Sequence, residues 1–277
     1  MILYPDKPLF QYINENCTLM NKSFCPPFWA TNQHIQSVLH VLWPRRVDMH
    51  MEYKQEVLIL LDGGTVALDW AVTSNLYLAA DADIVIIIPT LTADTSGFKS
   101  LCHIAIKAGL QPLVFNKRGH GGLPLTTPKL QSFGDPNDLR EVVLHLHKEY
   151  PESKLLAIGP SAGAGLLASY LGEYGEDAIL SAGVCISPGY DGHALFERPM
   201  NRFYQYIILY NLKKILKSHK DMLGNVLDYD KCLAAKTWNE YEQAVYYKLY
   251  GIKTYQEFWD LNDPVRDMNN VQVPVLC

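Results

Sequence analysis

The segment LLAIGPSAGAGLLASYLGE, residues 155–173, constrains this chain more than any other. An apolar run meets a knot of glycine, proline and serine, and a helix-periodic pattern begins at once. Two devices open this way. One is a strand–turn–helix elbow, GPSAG at 159–163, that holds a serine at the tip of a very sharp turn. The other is a dinucleotide loop, GxGxxA, read from Gly163 to Ala168. The elbow needs small residues on either side of its serine, because the turn brings two stretches of backbone almost into contact. Gly159 and Gly163 stand there around Ser161, and Leu166, Leu167, Tyr170 and Leu171 follow at helical spacing.

The dinucleotide loop fits less well. Its first glycine belongs at the strand end, and it wants an acidic residue ~20 positions on, at the tip of the next strand. Gly163 lies past Gly159, which already ends the strand, and Asp191 falls beyond Pro188-Gly189. A phosphate P-loop is excluded because no Lys-Ser/Thr pair follows the glycines. The elbow is the better reading. In it the Ser161 hydroxyl is a nucleophile, and the backbone N–H of Ala162 faces a developing oxyanion, aided by the helix N-terminus. A second N–H comes from the loop after the third strand. That loop is PTLTADTSG at 89–97, and its candidate donor is Leu91. The same residues also read as an ordinary strand-to-helix connection capped by Thr92 or Asp94, and the sequence leaves the two readings level.

Around this segment, apolar β-rich runs alternate with helical patterns. QEVLILL (55–61) and GTVALDWAV are separated by Asp62-Gly63-Gly64, a hairpin signal. DIVIIIP (83–89) is a continuous apolar run, as expected of a strand buried on both faces. QPLVFN (111–116) leads into the loop KRGHGG. DLREVVLHLHKEY (138–150) predicts a helix with Asp138 as its N-cap, and AGVCISP (182–188) predicts a further strand. The order implies an α/β protein with a mostly parallel sheet. Residues 189–262 change style, to tyrosine-rich helical patterns without a strand, and predict a helical cap over the sheet. The expected divisions are 1–50 as an N-terminal segment packing on the core, 51–188 as the core, 189–262 as the cap and 263–277 as a return to the core. The chain stops at VQVPVLC, within a strand-like run, which suggests a shortened chain.

With 277 residues, 48% of them hydrophobic, the chain can bury a full core. A net charge of -5 gives no reason to expect nucleic acid. The six cysteines have no CxxC spacing, so neither a zinc site nor any other metal or cofactor is called for; Cys185 and Cys277 read as buried, reduced thiols in strands. No run reaches the ~20 apolar residues of a spanning helix, and the start lacks a signal-peptide pattern. As written it reads as a soluble, cytoplasmic chain.

Several stretches together, PPFWATNQHIQSVL, DGGTVALDW, FNKRGHGGLPLTTPKL, GDPNDLREVV, GPSAG with YLGE, CISPGY and WDLNDPVRDMNNVQVPVLC, resemble the α/β-hydrolase domain-containing proteins. The group is the one with members one, two and three, and the likeness runs nearest to the member-fifteen branch. The resemblance implies an eight-stranded α/β-hydrolase fold with a helical cap and hydrolysis of carboxylic or lipid esters by a Ser–Asp–His triad. Ser161 matches the nucleophile. Leu91 matches the oxyanion loop, although the group's usual glycine before it is Thr90 here. The group's acid and histidine follow the strand that VPVLC begins, and have no counterpart within residues 1–277.

A serine hydroxyl is a weak nucleophile without a base to take its proton. Asp191 could replace the acid, or be a solvated turn residue of GYDG. Among the histidines, His120 could border the pocket, while His145 and His147, two apart on one helix, cannot share a face. Losing a triad member costs ~10⁴-fold or more in rate, so residues 1–277 by themselves are expected to be impaired as an esterase, and the activity is expected of a longer form. In the cap, Ile207, Ile208, Leu212, Ile215 and Leu216 form an apolar stripe flanked by Lys213, Lys214, Lys217 and Lys220. It reads as a face packed on the sheet or as one that touches a membrane. Tyr204, Tyr206, Tyr210, Tyr246, Tyr247 and Tyr250 are expected to pack the cap. Two functions stay open: a serine hydrolase acting on lipid or small-molecule esters, and a non-catalytic relative acting in lipid metabolism as a regulator or binding module.

Overall fold

A computed structural model describes residues 8–19, 22–42, 50–73, 78–190 and 201–277. The chain divides into two compact units. The smaller holds α1 (Pro8–Asn16) and α2 (Gln33–Leu42). The larger, Met49–Leu276, carries a sheet and a helical segment.

The sheet has seven strands among the described residues: β1 (Glu52–Ile59), β2 (Thr65–Val72), β3 (Ile84–Ile87), β4 (Gln111–Asn116), β5 (Leu155–Pro160), β6 (Ala182–Ile186) and β7 (Val275–Leu276). Their spatial order is β1-β2-β4-β3-β5-β6-β7. The expected hairpin forms, with Ile59 opposite Thr65 and a turn closed by Leu60 N–H to Gly64 O at 2.8 Å. β2 pairs antiparallel with β4, and every later pairing is parallel. A parallel neighbour requires a crossover, and helices supply it. α3 (Lys99–Lys107) returns the chain from β3 to β4, α4 (Asn137–Glu149) joins β4 to β5, and α5 (Ala162–Tyr174) joins β5 to β6.

Burial follows from that layering. The four residues of β3 are all buried, as the unbroken apolar run predicts. Leu139, Val142, Val143 and Leu146 of α4 and Leu166, Leu167, Tyr170 and Leu171 of α5 pack with the strands into one core. Each such side chain, taken fully from water, contributes about 1.5–3 kcal/mol.

Two local expectations fail for a physical reason. Asp138 is not the N-cap of α4: the helix begins at Asn137, and Asp138 sits in its first turn, buried. Its carboxylate takes both Nε and Nη2 of Arg118, at 2.6 and 2.7 Å. A tertiary, charge-assisted pair outcompetes the local capping bond. Cys185 is buried as expected, whereas Cys277 is exposed and lies past β7.

The helical segment comprises α6 (Arg202–Ser218), α7 (Lys220–Leu223), α8 (Tyr229–Ala234), α9 (Trp238–Ala244), α10 (Tyr246–Tyr250) and α11 (Tyr255–Asn262). Asn201, Asp228, Thr237 and Thr254 cap α6, α8, α9 and α11 with side-chain oxygens. Its core is aromatic: Trp238, Tyr241, Tyr246, Tyr247, Phe258 and Trp259 are all buried. Phe258 and Trp259 meet edge to face, at 5.4 Å between ring centroids. Polar bonds tie this segment to the long loop after β4, among them Ser132 N–H to Tyr250 Oη at 3.1 Å and three at 2.9 Å. Those three join His219 Nε2 to Gly119 O (2.9 Å), Tyr250 Oη to Leu130 O (2.9 Å) and Gly134 N–H to Asn262 Oδ1 (2.9 Å).

Candidate active site

β3 and β5 lie side by side, with Ile87 opposite Ile158. The connection after β3 leads to β4 on one side, and the connection after β5 leads to β6 on the other. Such a reversal opens a crevice at the carboxyl ends of the two strands, where ligands bind in open α/β sheets. The loop bearing Leu91 leaves one of those ends and Ser161 caps the other.

Ser161 occupies a sharp corner. Its backbone angles are φ 52° and ψ −117°, outside the regions a residue with a side chain ordinarily adopts. The corner is held by hydrogen bonds on both sides of the serine. Its N–H reaches Ile186 O at 2.9 Å, and its carbonyl accepts from Ala164 N–H at 2.9 Å. Both flanking glycines are required by contact. A Cβ on Gly159 would stand 2.3 Å from Gly163 O, and one on Gly163 would stand 2.0 Å from Ile88 O. The second contact seats the first turn of α5 directly against the end of β3, beside the loop that carries Leu91. Ser161 is exposed, and among the described residues its hydroxyl has no hydrogen-bond partner.

The two candidate oxyanion donors lie in like surroundings. Leu91 and Ala162 are both half-buried and both pack against the aromatic core of the helical segment. Asp94 does cap the 3-10 turn Thr95–Phe98, accepting Ser96 N–H at 3.0 Å. The capping reading of the loop is therefore realised, and it leaves Leu91 free for the other role.

What holds that loop is not marked by any sequence pattern. Lys117, one residue past β4, donates through Nζ to Thr90 O at 2.8 Å and Leu91 O at 3.1 Å. It is buried, and burial pulls its pKa down to about 7. Asn116 holds the loop's far end: its Nδ2 reaches Thr95 Oγ1 at 2.8 Å and Asp69 Oδ2 at 2.8 Å, and its Oδ1 accepts Thr95 N–H at 3.2 Å. The Lys117 contacts could not be read in advance, because carbonyl acceptors belong to every residue.

His120 places Nδ1 3.0 Å from Arg118 O, so that nitrogen carries the proton and Nε2 carries the lone pair. Nε2 is buried without a partner among the described residues. Burial, reinforced by Lys117, pulls the imidazole pKa down to about 4, so it is neutral at pH 7. No described histidine is hydrogen-bonded to Ser161: His145 instead meets Glu56 at 2.6 Å, and His219 meets Gly119. Asp191 and His193 lie outside the described residues. No group of His, Cys, Asp or Glu among the described residues could hold a metal ion.

A mostly parallel sheet in this strand order, with a strained serine elbow at its switch point, defines an α/β-hydrolase-fold protein. The family model described as serine aminopeptidase, S33 matches residues 80–240, more than half of the chain, and the chain belongs to that family. Among curated relatives, human Protein ABHD15 is 34% identical over 91% of this chain and 55% of its own length. Mouse Phospholipase ABHD3 is 28% identical over 96% of this chain and 67% of its own, and mouse Monoacylglycerol lipase ABHD2 is 23% identical over 99% and 69%. The chain thus spans little more than half of the first of these relatives and about two thirds of the other two. The resemblance to α/β-hydrolase domain-containing proteins, drawn above from the motifs, is upheld.

Proposed function

We propose that this protein hydrolyses carboxylic esters of lipids, of the phospholipid or acylglycerol kind, with Ser161 as nucleophile. The observation that carries the reading is the Ser161 corner: a strained, exposed serine at the carboxyl end of β5, at the head of α5. A strained elbow persists only where the surroundings over-determine it, and strain of this kind clusters at functional sites. The substrate class is suggested by the names of two relatives, a phospholipase and a monoacylglycerol lipase.

In this reading the Ser161 oxygen attacks the ester carbonyl as a base takes its proton. The tetrahedral oxyanion is received by the N–H groups of Ala162 and Leu91, and the leaving alcohol takes up a proton as the acyl-enzyme forms. Water then releases the acid by the same steps in reverse roles. Thr90, where the group carries glycine, sets a side chain next to the Leu91 donor and narrows the choice of acyl groups. The helical segment receives the acyl chain: Leu91 and Ala162 already pack against its aromatic core.

Contact with a lipid surface belongs to the same reading. Phe203, Tyr206, Ile207 and Tyr210 of α6 are exposed at helical spacing, and Lys214 and Lys217 continue that face toward the C-terminus. Aromatic rings with lysines on one helix face suit a membrane interface. The test is labelling of the full-length protein by a fluorophosphonate probe, with Ser161→Ala as control. Covalent modification at Ser161, lost in the variant, is expected. A folded protein that takes no label and turns over no ester is a non-catalytic member of the family.

A further inference from the structure

We infer that Lys117 is the positioning residue of the oxyanion loop: through its two bonds to the carbonyls of Thr90 and Leu91 it sets the direction of the Leu91 N–H. Its consequence for catalysis rests on the function proposed above, while the clamp itself rests on geometry alone.

The argument turns on the planarity of the peptide group. The carbonyl of Thr90 and the N–H of Leu91 belong to one peptide unit, and the described residues hold no cis bond. In a trans unit the C=O and the N–H point in opposite directions. Holding the Thr90 oxygen at 2.8 Å therefore aims the Leu91 N–H away from Lys117. The bond to Leu91 O, at 3.1 Å, fixes the next peptide plane as well. With both planes set, the backbone angles of Leu91 have no freedom left. A single flexible side chain thereby does for this loop what helix α5 does for the Ala162 N–H.

Two further observations favour this role over simple packing. Asn116, the neighbouring residue, grips Thr95 at the loop's other end. Consecutive residues at the end of β4 thus hold both ends of residues 90–95. Second, the amine is expensive to bury. Its pKa falls to about 7, with burial as the cause, and no carboxylate bonds it among the described residues. Burying an ammonium without a counter-charge opposes folding at neutral pH. A methionine would fill the same space without that cost. Lys117 in turn acts on His120, which stays neutral, so that neighbour supplies no counter-charge. Above pH 7 the neutral amine still has two N–H groups for the two carbonyls, so the clamp survives its own titration.

The experiment compares the full-length wild type with Lys117→Met and Lys117→Gln by backbone hydrogen exchange and by steady-state ester hydrolysis. Lys117→Met is expected to speed exchange in the segment 88–98 at least tenfold, with β3, β4 and β5 unchanged. It should lower kcat about 100-fold, the loss typical of one oxyanion donor, with KM within a factor of two. Lys117→Gln, which keeps a donor on a shorter arm, should fall between. Exchange that does not change in a folded Lys117→Met protein overturns the clamp. Faster exchange with unchanged kcat overturns the positioning role. If Lys117→Met does not fold, the same criteria apply to Lys117→Gln. A wild type without Ser161-dependent turnover sinks the proposed activity, and the clamp is then judged on exchange alone.

Discussion

At the carboxyl rim of the sheet, backbone lies against backbone with almost nothing between; in residues 202–262, ring lies against ring. The rim has Gly163 pressed on Ile88 O, the Ser161 corner hung between Ile186 and Ala164, and a loop held by Lys117 and Asn116. The helical segment has Tyr241, Tyr246, Tyr247, Phe258 and Trp259 in a contiguous aromatic core. Hydrogen-bonded backbone fixes position to fractions of an ångström but tolerates no added atom. Aromatic packing stabilises strongly and leaves shape adjustable. Under the proposed function, that division would give a rigid place for the carbonyl and an adaptable one for the chain.

Removing the nucleophile breaks the comparison most deeply on the side of the rim. In the full-length protein, Ser161→Ala is expected to lower ester turnover by about 10⁴-fold or more while shifting stability by under about 0.5 kcal/mol, since the hydroxyl is exposed and unpaired among the described residues. Turnover above a tenth of wild type would place the chemistry elsewhere. Next comes Asp138→Asn, which strips Arg118 of the better of its two carboxylates. Arg118 and Asp138 are both 98% buried at their side chains, and breaking such a pair costs about 3–5 kcal/mol. Urea unfolding reads that loss directly, and a change below 1 kcal/mol would mean that Asp62, at 2.8 Å, carries the guanidinium alone. Gly163→Ala follows, at about 1–3 kcal/mol, because its methyl group must displace the end of β3. The shift should also slow fluorophosphonate labelling about 100-fold, as a misplaced nucleophile does. Full labelling would show that the close approach is not needed.

How far the sequence foretold this division depends on how local each signal is. The elbow was legible because everything that makes it lies within 155–173, and the same holds for the hairpin at 55–72. The Asp138 role was missed because a local capping rule competed with a partner twenty positions away, and the partner won. Lys117 was invisible for a stricter reason: it bonds main-chain carbonyls, and no side-chain pattern marks those. In α6 the apolar stripe found by periodicity is mostly the inward one, with Leu212 and Leu216 buried and Ile208 and Ile215 half-buried. Ile207 faces out, and so do Tyr206 and Tyr210, which stack on one another at 6.4 Å instead of packing the core as Tyr246 and Tyr247 do.

The helical segment carries its own pH dependence. Glu242 is wholly buried, accepts from Trp238 Nε1 through Oε1, and leaves Oε2 without a partner. Burial pushes its pKa up to about 8, against 4.5 ordinarily, and the Trp238 bond only partly opposes this. A raised folded-state pKa means a contribution present below 4.5 and lost as pH rises through 8. Stability should therefore fall across that window by up to about 1.4 kcal/mol per pH unit. Glu242→Gln keeps the acceptor for Trp238 without the charge, so its slope should be flatter and its stability at pH 8 higher than wild type. An unchanged slope would assign the pH dependence to another group.

The smallest expected effect on stability falls on the outward face of α6, and there the two regions should separate most cleanly. Phe203, Tyr206 and Tyr210 are 58–68% exposed, so replacing all three by serine removes little packing and should shift unfolding by under about 0.5 kcal/mol per site. Turnover of a soluble short-chain ester should not change, because nothing at the rim is touched. Sedimentation with vesicles containing anionic lipid should drop severalfold, since the rings supply apolar area and Lys214 and Lys217 supply charge to the same face. Raising salt should weaken wild-type binding further than it weakens the serine variant at equal starting affinity only if the lysines need the rings to bring them near the surface. Equal vesicle binding by wild type and variant would detach this face from the lipid surface and return it to water.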